Sequence, residues 1–488
     1  MARRWLSNCV AEHGGGLGHC PSPQESPRLP TRVIDVGLDG FPPRLWESGG
    51  LHASYCALSY CWGTGKVLCT TSSTLRSHLR EIPYEKLPKT LRDAICVTRQ
   101  LGVKYLWIHS LCIIQDDEKD WRREAAQMGT VYTNTHVVIT ALASDNSDGG
   151  LFRDRDEASV RPVPLTASFP EPHGNSCRYV VPSGGDWKAG EHSPISTRAW
   201  TLQEQVLCAR MLSFGADQLR WICLSMCAAE TDPDGAFSGQ HSDSLAMTTE
   251  RQILRLNANQ AALAAGESGA MAKDDGGLSV QERDVSFQAW EKIVTKYSAR
   301  VITKQADRIP AILGVARRME VNLNNRFVAG VWKGDYCLRS LSWQAETPGA
   351  LIAHYPTWSW ASTTSLVQYT MLSEPEASKE RIEYQASVIQ FDELSSEVQP
   401  TIGCCIKIKG KIKQTQDTGA PDLAPNMYST ESLLYRLQKI IIWLMRDSLT
   451  TSPRDPTNVS CLFLRRLTEY QQYTETKTLK SYVYGLDY

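Results

Sequence analysis

Tyr105-Leu106-Trp107-Ile108-His109-Ser110-Leu111-Cys112-Ile113-Ile114 is a nearly continuous apolar run, broken only by His109 and Ser110. Continuous rather than alternating apolarity suits a strand buried on both faces, as in a parallel sheet. Directly after it, the spacing predicts a helix over Asp117 to Tyr132. Asp117 can cap it, Asp120 lies near the positive end of its dipole, and Trp121, Ala125, Met128 and Tyr132 form an apolar stripe. His136 to Ala143 reads as a second apolar strand. Upstream, Tyr55 to Tyr60 reads as a short buried strand ended by Gly63. Thr90 to Leu101 reads as a helix, with Thr90 and Asp93 resembling a capping box. Strand, helix, strand, helix, strand within about 90 residues is the pattern of a right-handed α/β unit.

Away from this stretch the texture is less regular. Residues 1–50 are loop-rich, with Gly14 to Gly16, Pro21, Pro23, Pro27 and Pro30 around a strand candidate from Arg32 to Val36. Ser196 to Gln205 and Ala209 to Cys223 form a compact, Trp-containing segment. Stretches 232–246 and 265–280 are rich in Gly, Ser, Asp and Ala and read as exposed linker. Two helices are expected around Asp307-Arg308-Ile309-Pro310, and 385–414 alternates in a strand-like way. The expected organisation is an N-terminal extension over 1–50 and an α/β domain over 51–225 with an open, mostly parallel sheet and flanking helices. A mobile linker over 226–282 and an irregular α+β region over 283–488 follow. No repeat period is visible.

The chain has 488 residues, with 52 Lys plus Arg against 53 Asp plus Glu, a net charge of −1. That balance excludes a nucleic-acid binder held by bulk charge and argues against a disordered chain. The 14 Trp should serve as core anchors or pocket walls. The 15 Cys are odd in number and include no CxxC pair, so no secreted, disulfide-stapled framework is visible. Behind Arg3 and Arg4, Asn8, Glu12 and His13 interrupt any signal-peptide apolar region. Ile440 to Met445 is far short of the roughly 20 residues that span a bilayer. The expectation is a reduced, soluble, cytoplasmic protein with no membrane span.

Phosphate-loop, nucleophile-elbow and HExxH signatures are absent. Cys9, His13, His19 and Cys20 lie close together, but without the tight paired spacing of a structural zinc site. They could in principle ligate zinc, but the expectation is a surface loop with reduced thiols and no metal. Four clusters are better placed for chemistry. Ser59, Tyr60, Trp62 and Gly63 lie where a strand ends, and ligand crevices form outside the carboxyl ends of parallel strands. Tyr60 and Trp62 are suited to stack on a planar ligand, or to pack beneath the next loop. Asp116 emerges at the same end as a candidate catalytic carboxylate, or as a solvated loop residue, while His109 reads as a core histidine within its strand. Glu124, one turn after Trp121, has two readings. It is a carboxyl flanked by Trp and apolar groups, with a raised pKa and acid, base or nucleophile chemistry, or an exposed Glu paired with Arg122, Arg123 or a nearby Lys. Arg198, Trp200 and Glu204 surround a helix start. Arg198 suits bidentate clamping of an anion, or it pairs with Glu204 and fixes the bend.

Together these segments resemble the heterokaryon-incompatibility (HET) domain of fungi. The resemblance is carried by Tyr55 to Gly63, Leu87 to Ile95, Leu101 to Ile108, Ser110 to Asp116, Asp120-Trp121, Glu124, Met128, Tyr132-Thr133-Asn134, Gly150-Leu151-Phe152 and Ser196 to Glu204. It covers roughly residues 55–205. The flanks Leu29 to Asp35, Asp307 to Ile312, Ala329 to Trp332 and Pro356 to Ala361 also look like those of family members.

What the resemblance implies is signalling or effector work in non-self recognition, ending in programmed cell death. It implies protein partners and self-association. It also implies a fold remotely similar to the Toll/interleukin-1-receptor domain. Some members of that fold cleave NAD with a helical Glu soon after a Trp, which makes Glu124 the candidate catalytic carboxylate, with NAD as substrate rather than cofactor. Three departures from the family pattern stand out: His109 where Asp is usual, Gln205 where a basic residue is common, and Thr135 where Ala is usual. An inactive paralogue is a further alternative.

Overall fold

The computed structural model describes residues 1–13, 20–21, 26–37, 41–63, 65, 68–155, 160, 163–168, 176–181, 193–235, 278–347, 349–356 and 358–369, and the strand segments 386–392, 405–410, 412–416 and 458–462. Most of the expected linker over 226–282, His19, and Ile440 to Met445 lie outside the described residues. The chain forms two compact units. The first comprises Met1–Ala289, Arg300–Ile302 and Pro310–Asn322, and the second Trp290–Ala299, Thr303–Ile309 and Leu323–Tyr488.

The first unit begins with α1 (Ala2–Glu12), then β1 (Arg32–Asp35), β2 (Arg44–Glu47), β3 (Tyr55–Ser59), α2 (Leu75–Arg80) and α3 (Lys89–Gln100). It continues with β4 (Tyr105–Trp107), α4 (His109–Cys112), α5 (Glu118–Asn134) and β5 (Val137–Thr140). A hairpin of β6 (Val163–Ser168) and β7 (Ser176–Val181) follows, then α6 (Trp200–Leu207), β8 (Arg210–Phe214), β9 (Leu219–Cys223) and β10 (Cys227–Ala229). Eight strands form one sheet in the order β10-β9-β8-β5-β3-β4-β1-β2. The central four, β8, β5, β3 and β4, are parallel, and the pairs on either side are antiparallel.

Every residue of β3, β4 and β5 is buried, as their unbroken apolarity requires. Neighbouring residues of a strand point to opposite faces. The Tyr55 hydroxyl donates to the Val131 carbonyl of α5 at 2.6 Å, and Cys56 meets Thr98 of α3. Helices therefore cover both faces of β3, giving an α/β layer.

Three local expectations change. The apolar run from Tyr105 is a strand only to Trp107; His109 to Cys112 turns into α4 while staying at the core. A continuous apolar run does not distinguish a buried strand from a buried helical turn. Thr90 and Asp93 do not box the start of α3. Thr90 Oγ1 accepts from the Gly150 amide at 3.0 Å and Asp93 Oδ2 from the Leu151 amide at 2.8 Å, so both hold a distant turn. The loop-rich N-terminus contains α1, whose Trp5, Leu6 and Cys9 are buried. Asp117 does cap α5, accepting from the Lys119 and Asp120 amides at 2.9 and 3.2 Å.

The remaining elements are α7 (Val280–Ser298), α8 (Pro310–Leu323), β11 (Phe327–Val328), β12 (Val331–Trp332), α9 (Cys337–Ser340), β13 (Trp343–Ala345) and β14 (Val367–Tyr369). Strands β15 (Ala386–Asp392) with β16 (Cys405–Gly410), and β17 (Ile412–Gln416) with β18 (Asn458–Leu462), form two antiparallel pairs. In the second unit Trp290 stands edge-on to Trp332, 5.1 Å between ring centres, and Tyr297 to Trp360 at 5.8 Å. Trp5, Trp107 and Trp221 of the first unit and Trp290, Trp332 and Trp360 of the second are fully buried. Among the described residues no helix is long and apolar enough to cross a membrane.

Candidate functional site

Two adjacent parallel strands, β3 and β5, send their connections in opposite directions, to β4 on one side and towards β8 on the other. Where connections diverge in this way, the chain leaves a crevice beyond the carboxyl ends of the two strands. Ser59 closes β3 at that point, and its hydroxyl donates to Glu204 Oε2 on α6. The Tyr132 phenol, from α5, donates to the Leu58 carbonyl at 3.3 Å and influences the same carboxyl. Thr140, at the end of β5, is buried, and its hydroxyl has no partner among the described residues.

The site grows outward from that carboxyl. Tyr60 is buried and its hydroxyl donates to Ser110 Oγ of α4 at 2.9 Å. Trp62, half-buried, lies 5.2 Å from His109 between ring centres, tilted by 52°. Gly63 has φ +77, and a Cβ there would sit 2.5 Å from Asn146 Cβ, so the turn requires glycine. Arg198 is half-buried, and its charge reaches Tyr60, Cys61, His109 and Glu204. Arg300 donates from Nη1 to the Arg198 carbonyl at 3.3 Å and to Thr201 Oγ1 at 3.2 Å, and from Nη2 to Gln205 Oε1 at 3.0 Å.

These surroundings tune the titrating groups. Burial pushes the Glu204 carboxyl from 4.5 up to about 7, against the Ser59 and Tyr132 hydroxyls and the charges of Arg198 and Arg300. Burial and the Arg198 charge hold the His109 imidazole down to about 4, so it is neutral near pH 7. The result is an acid near neutrality and a neutral imidazole within the fields of Arg198 and, for the carboxyl, Arg300, a setting suited to holding a polar ligand and to moving a proton.

Ser59, Tyr60, Trp62, Gly63, Arg198 and Glu204 thus come together as a set. Trp200 stands beside it, edge-on to Trp121 at 6.4 Å. Asp116 does not join; its Oδ1 accepts from the Ser72 amide at 2.7 Å and the Ser72 hydroxyl at 3.1 Å, fastening an exposed loop. Glu124 is not in the Trp-lined apolar setting considered for it, nor is it exposed. It is buried, with Oε1 3.2 Å from Arg123 Nε and 3.9 Å from Arg32 Nη2. Arg32 and Arg123 also both bond Asp120. His109 is a helix residue beside two Trp rings, not a strand residue.

Sequence reasoning missed Tyr132 and Arg300 as parts of this site. Tyr132 was visible as an apolar stripe residue, but its hydroxyl gave no signal of its partner. Arg300 carried none, because the segment Arg300–Ile302 joins this unit through the Arg198–Val301 bridge. The departures at 205 and 135 have local explanations. Gln205 accepts from Arg300, and Thr135 Oγ1 donates to the Tyr55 and Val137 carbonyls at 3.2 and 3.3 Å.

Residues 55–204 match the family described as heterokaryon incompatibility protein (HET), a span that opens on β3 and ends at Glu204. No curated protein and no solved structure matches the chain. The Ser59–Glu204 hydrogen bond ties together the two ends of the matched span, and the match indicates a role related to heterokaryon incompatibility. The chain carries a HET domain over residues 55–204.

Proposed function

We propose that this protein is a signalling or effector component of fungal heterokaryon incompatibility, acting through protein partners and self-association to end in programmed cell death. The observation that carries the reading is the coincidence of the HET span with the polar site: Ser59, Tyr60, Trp62, Arg198 and Glu204 all belong to it. In this reading the site governs output. A ligand or a neighbouring chain that engages Arg198 changes the pairing of Glu204, and with it the α6 helix that Glu204 belongs to.

Hydrolysis of NAD is the second reading, and one observation favours it. Glu204 is a buried carboxyl near neutrality at the ends of parallel strands, the setting of a general acid or base. Glu124, the carboxylate suggested by analogy, is engaged with two arginines and would have to leave both to reach a substrate. Asp116 is likewise engaged, with Ser72.

Inducible expression of the full chain in a filamentous fungal host separates the readings when viability and cellular NAD are followed together. The signalling reading expects death with NAD unchanged, and loss of killing in Arg198→Gln while the protein still accumulates. Death preceded by NAD loss, with both abolished in Glu204→Gln, transfers the function to the enzymatic reading. Glu124→Gln distinguishes the carboxylates: we expect it to reduce protein abundance, through loss of ion pairing, without altering killing per molecule.

A further inference from the structure

Cys9, His13, Cys20 and Cys223 come from distant parts of the chain, yet their ligand atoms all lie within 4.8 Å of one another. Cys9 and His13 are four apart at the end of α1, so they share one face of that helix. Cys20 returns to the same place, its amide bonded to the His13 carbonyl at 3.2 Å. Cys223 ends β9, and its sulfur lies 3.4 Å from His13 Nδ1. The three cysteines are buried rather than on a surface loop, and His13 is half-buried.

We propose that these four side chains bind one zinc ion in a tetrahedral Cys3His site that fastens the N-terminal helix to the β9–β10 end of the sheet. Zn–S distances of about 2.3 Å and Zn–N distances of about 2.0 Å put neighbouring donors roughly 3.5–3.8 Å apart, so the observed cluster needs only a small contraction. Thiolates with imidazole select zinc over the hard cations that prefer oxygen. Three sulfurs with one imidazole also suit a metal better than a disulfide, which would join two and strand the third.

Charge supports the same assignment. Three thiolates and a neutral imidazole around a divalent ion leave a net charge of about −1. Arg210, 2% exposed, lies opposite Cys223 on β8, and its Nε donates to Cys9 Sγ at 3.1 Å. Its Nη2 donates to the Pro21 carbonyl, and a thiolate–zinc centre would add the negative charge that offsets this buried cation. Ser225 Oγ, 3.8 Å from Cys20 Sγ, gives a second polar contact of the kind that orients metal ligands.

Of the four N-terminal residues whose closeness suggested a metal, three take part, and the fourth donor comes from β9. The site is independent of the polar cluster near Glu204 and does not rest on its proposed role.

The test uses the full chain, expressed with zinc and purified under reducing conditions. Elemental analysis should find one zinc per chain. Exchange for cobalt(II) should give the visible bands of tetrahedral coordination with sulfur-to-metal charge transfer. Cys9→Ser and Cys223→Ser should each lose most of the metal, while Cys96→Ser, outside the cluster, keeps it. His13→Cys preserves a donor and should still bind cobalt, with stronger charge transfer, which covers the case where the serine variants fail to fold. A wild-type chain that is metal-free and takes up neither ion overturns the proposal. So does a native disulfide among the three cysteines, binding of iron or copper in preference to zinc, or equal metal loss from Cys96→Ser and Cys223→Ser.

Discussion

Glu204 shows how one side chain carries a pH dependence that opposes its neighbours. Its carboxyl rises from 4.5 to about 7 on burial, so it binds a proton more tightly in the folded state than in the unfolded one. Such a group contributes stability that is complete below about pH 4.5 and lost as pH rises through about 7. The amount is at most about 3 kcal/mol, from about 1.4 kcal/mol per pH unit. His109 and His136 run the other way. Burial lowers both to about 4, so they contribute stability above pH 6.5 that is lost as pH falls towards 4. The wild-type profile is therefore composite, and the difference between wild type and Glu204→Gln isolates the carboxyl. We expect wild type to lose stability relative to Glu204→Gln by about 1–3 kcal/mol between pH 4.5 and 8, read from urea midpoints. A difference that stays flat across that range would mean Glu204 is ionised throughout. At this scale the sequence was informative where a residue's role depends on its position at a strand end, as for Ser59 and Tyr60. For Glu124 it offered the pairing with Arg123 but not the burial or the second arginine, Arg32, which comes from a strand paired antiparallel at the far side of β4.

Between elements, α5 and α8 of the first unit approach each other closely at a pair of glycines. A Cβ on Gly129 would lie 2.6 Å from Gly314 Cα, and one on Gly314 would lie 2.6 Å from Gly129 Cα and 2.7 Å from Gln203 Oε1. Replacing glycine by alanine inside a helix ordinarily gains about 1 kcal/mol of intrinsic propensity. Here the added methyl meets backbone that cannot yield without separating the helices, and overpacking typically costs about 1–3 kcal/mol. The steric term should win, so Gly129→Ala and Gly314→Ala should each lower the urea midpoint. The double variant should cost less than the sum, because either methyl already forces the helices apart. An increase in stability for either single variant would show that the helices separate freely. Neither glycine stood out in the sequence, because a missing side chain leaves no mark on an apolar stripe. The stripe of α5 and its Asp117 cap were legible, since both are properties of one segment. The end of β4 was not, because burial is shared by strand and helical turn alike.

Across the whole chain, short-range pattern sufficed for the α/β class, and the order of the HET segments sufficed for the family, whereas the meeting of remote residues was invisible. Cys223 and Arg210 approach the N-terminal helix only because β8 and β9 lie at one end of the sheet, a fact of topology rather than of spacing. Net charge is the one whole-molecule property that can be read without topology, and it makes a prediction of its own. With 52 basic and 53 acidic side chains the protein has no global positive field to gather phosphates. Affinity for duplex DNA that comes from phosphate contacts falls with salt, with a slope of about −0.9 per phosphate neutralised. Fluorescence anisotropy with a labelled duplex should therefore show no saturation at low micromolar protein near physiological salt, and any binding at low salt should have a slope shallower than about −2. A slope of about −5 or steeper would require five or more phosphate contacts, and so a localised basic surface strong enough to outweigh the near-zero total. That result would move the function towards a nucleic-acid partner and away from signalling through protein contacts.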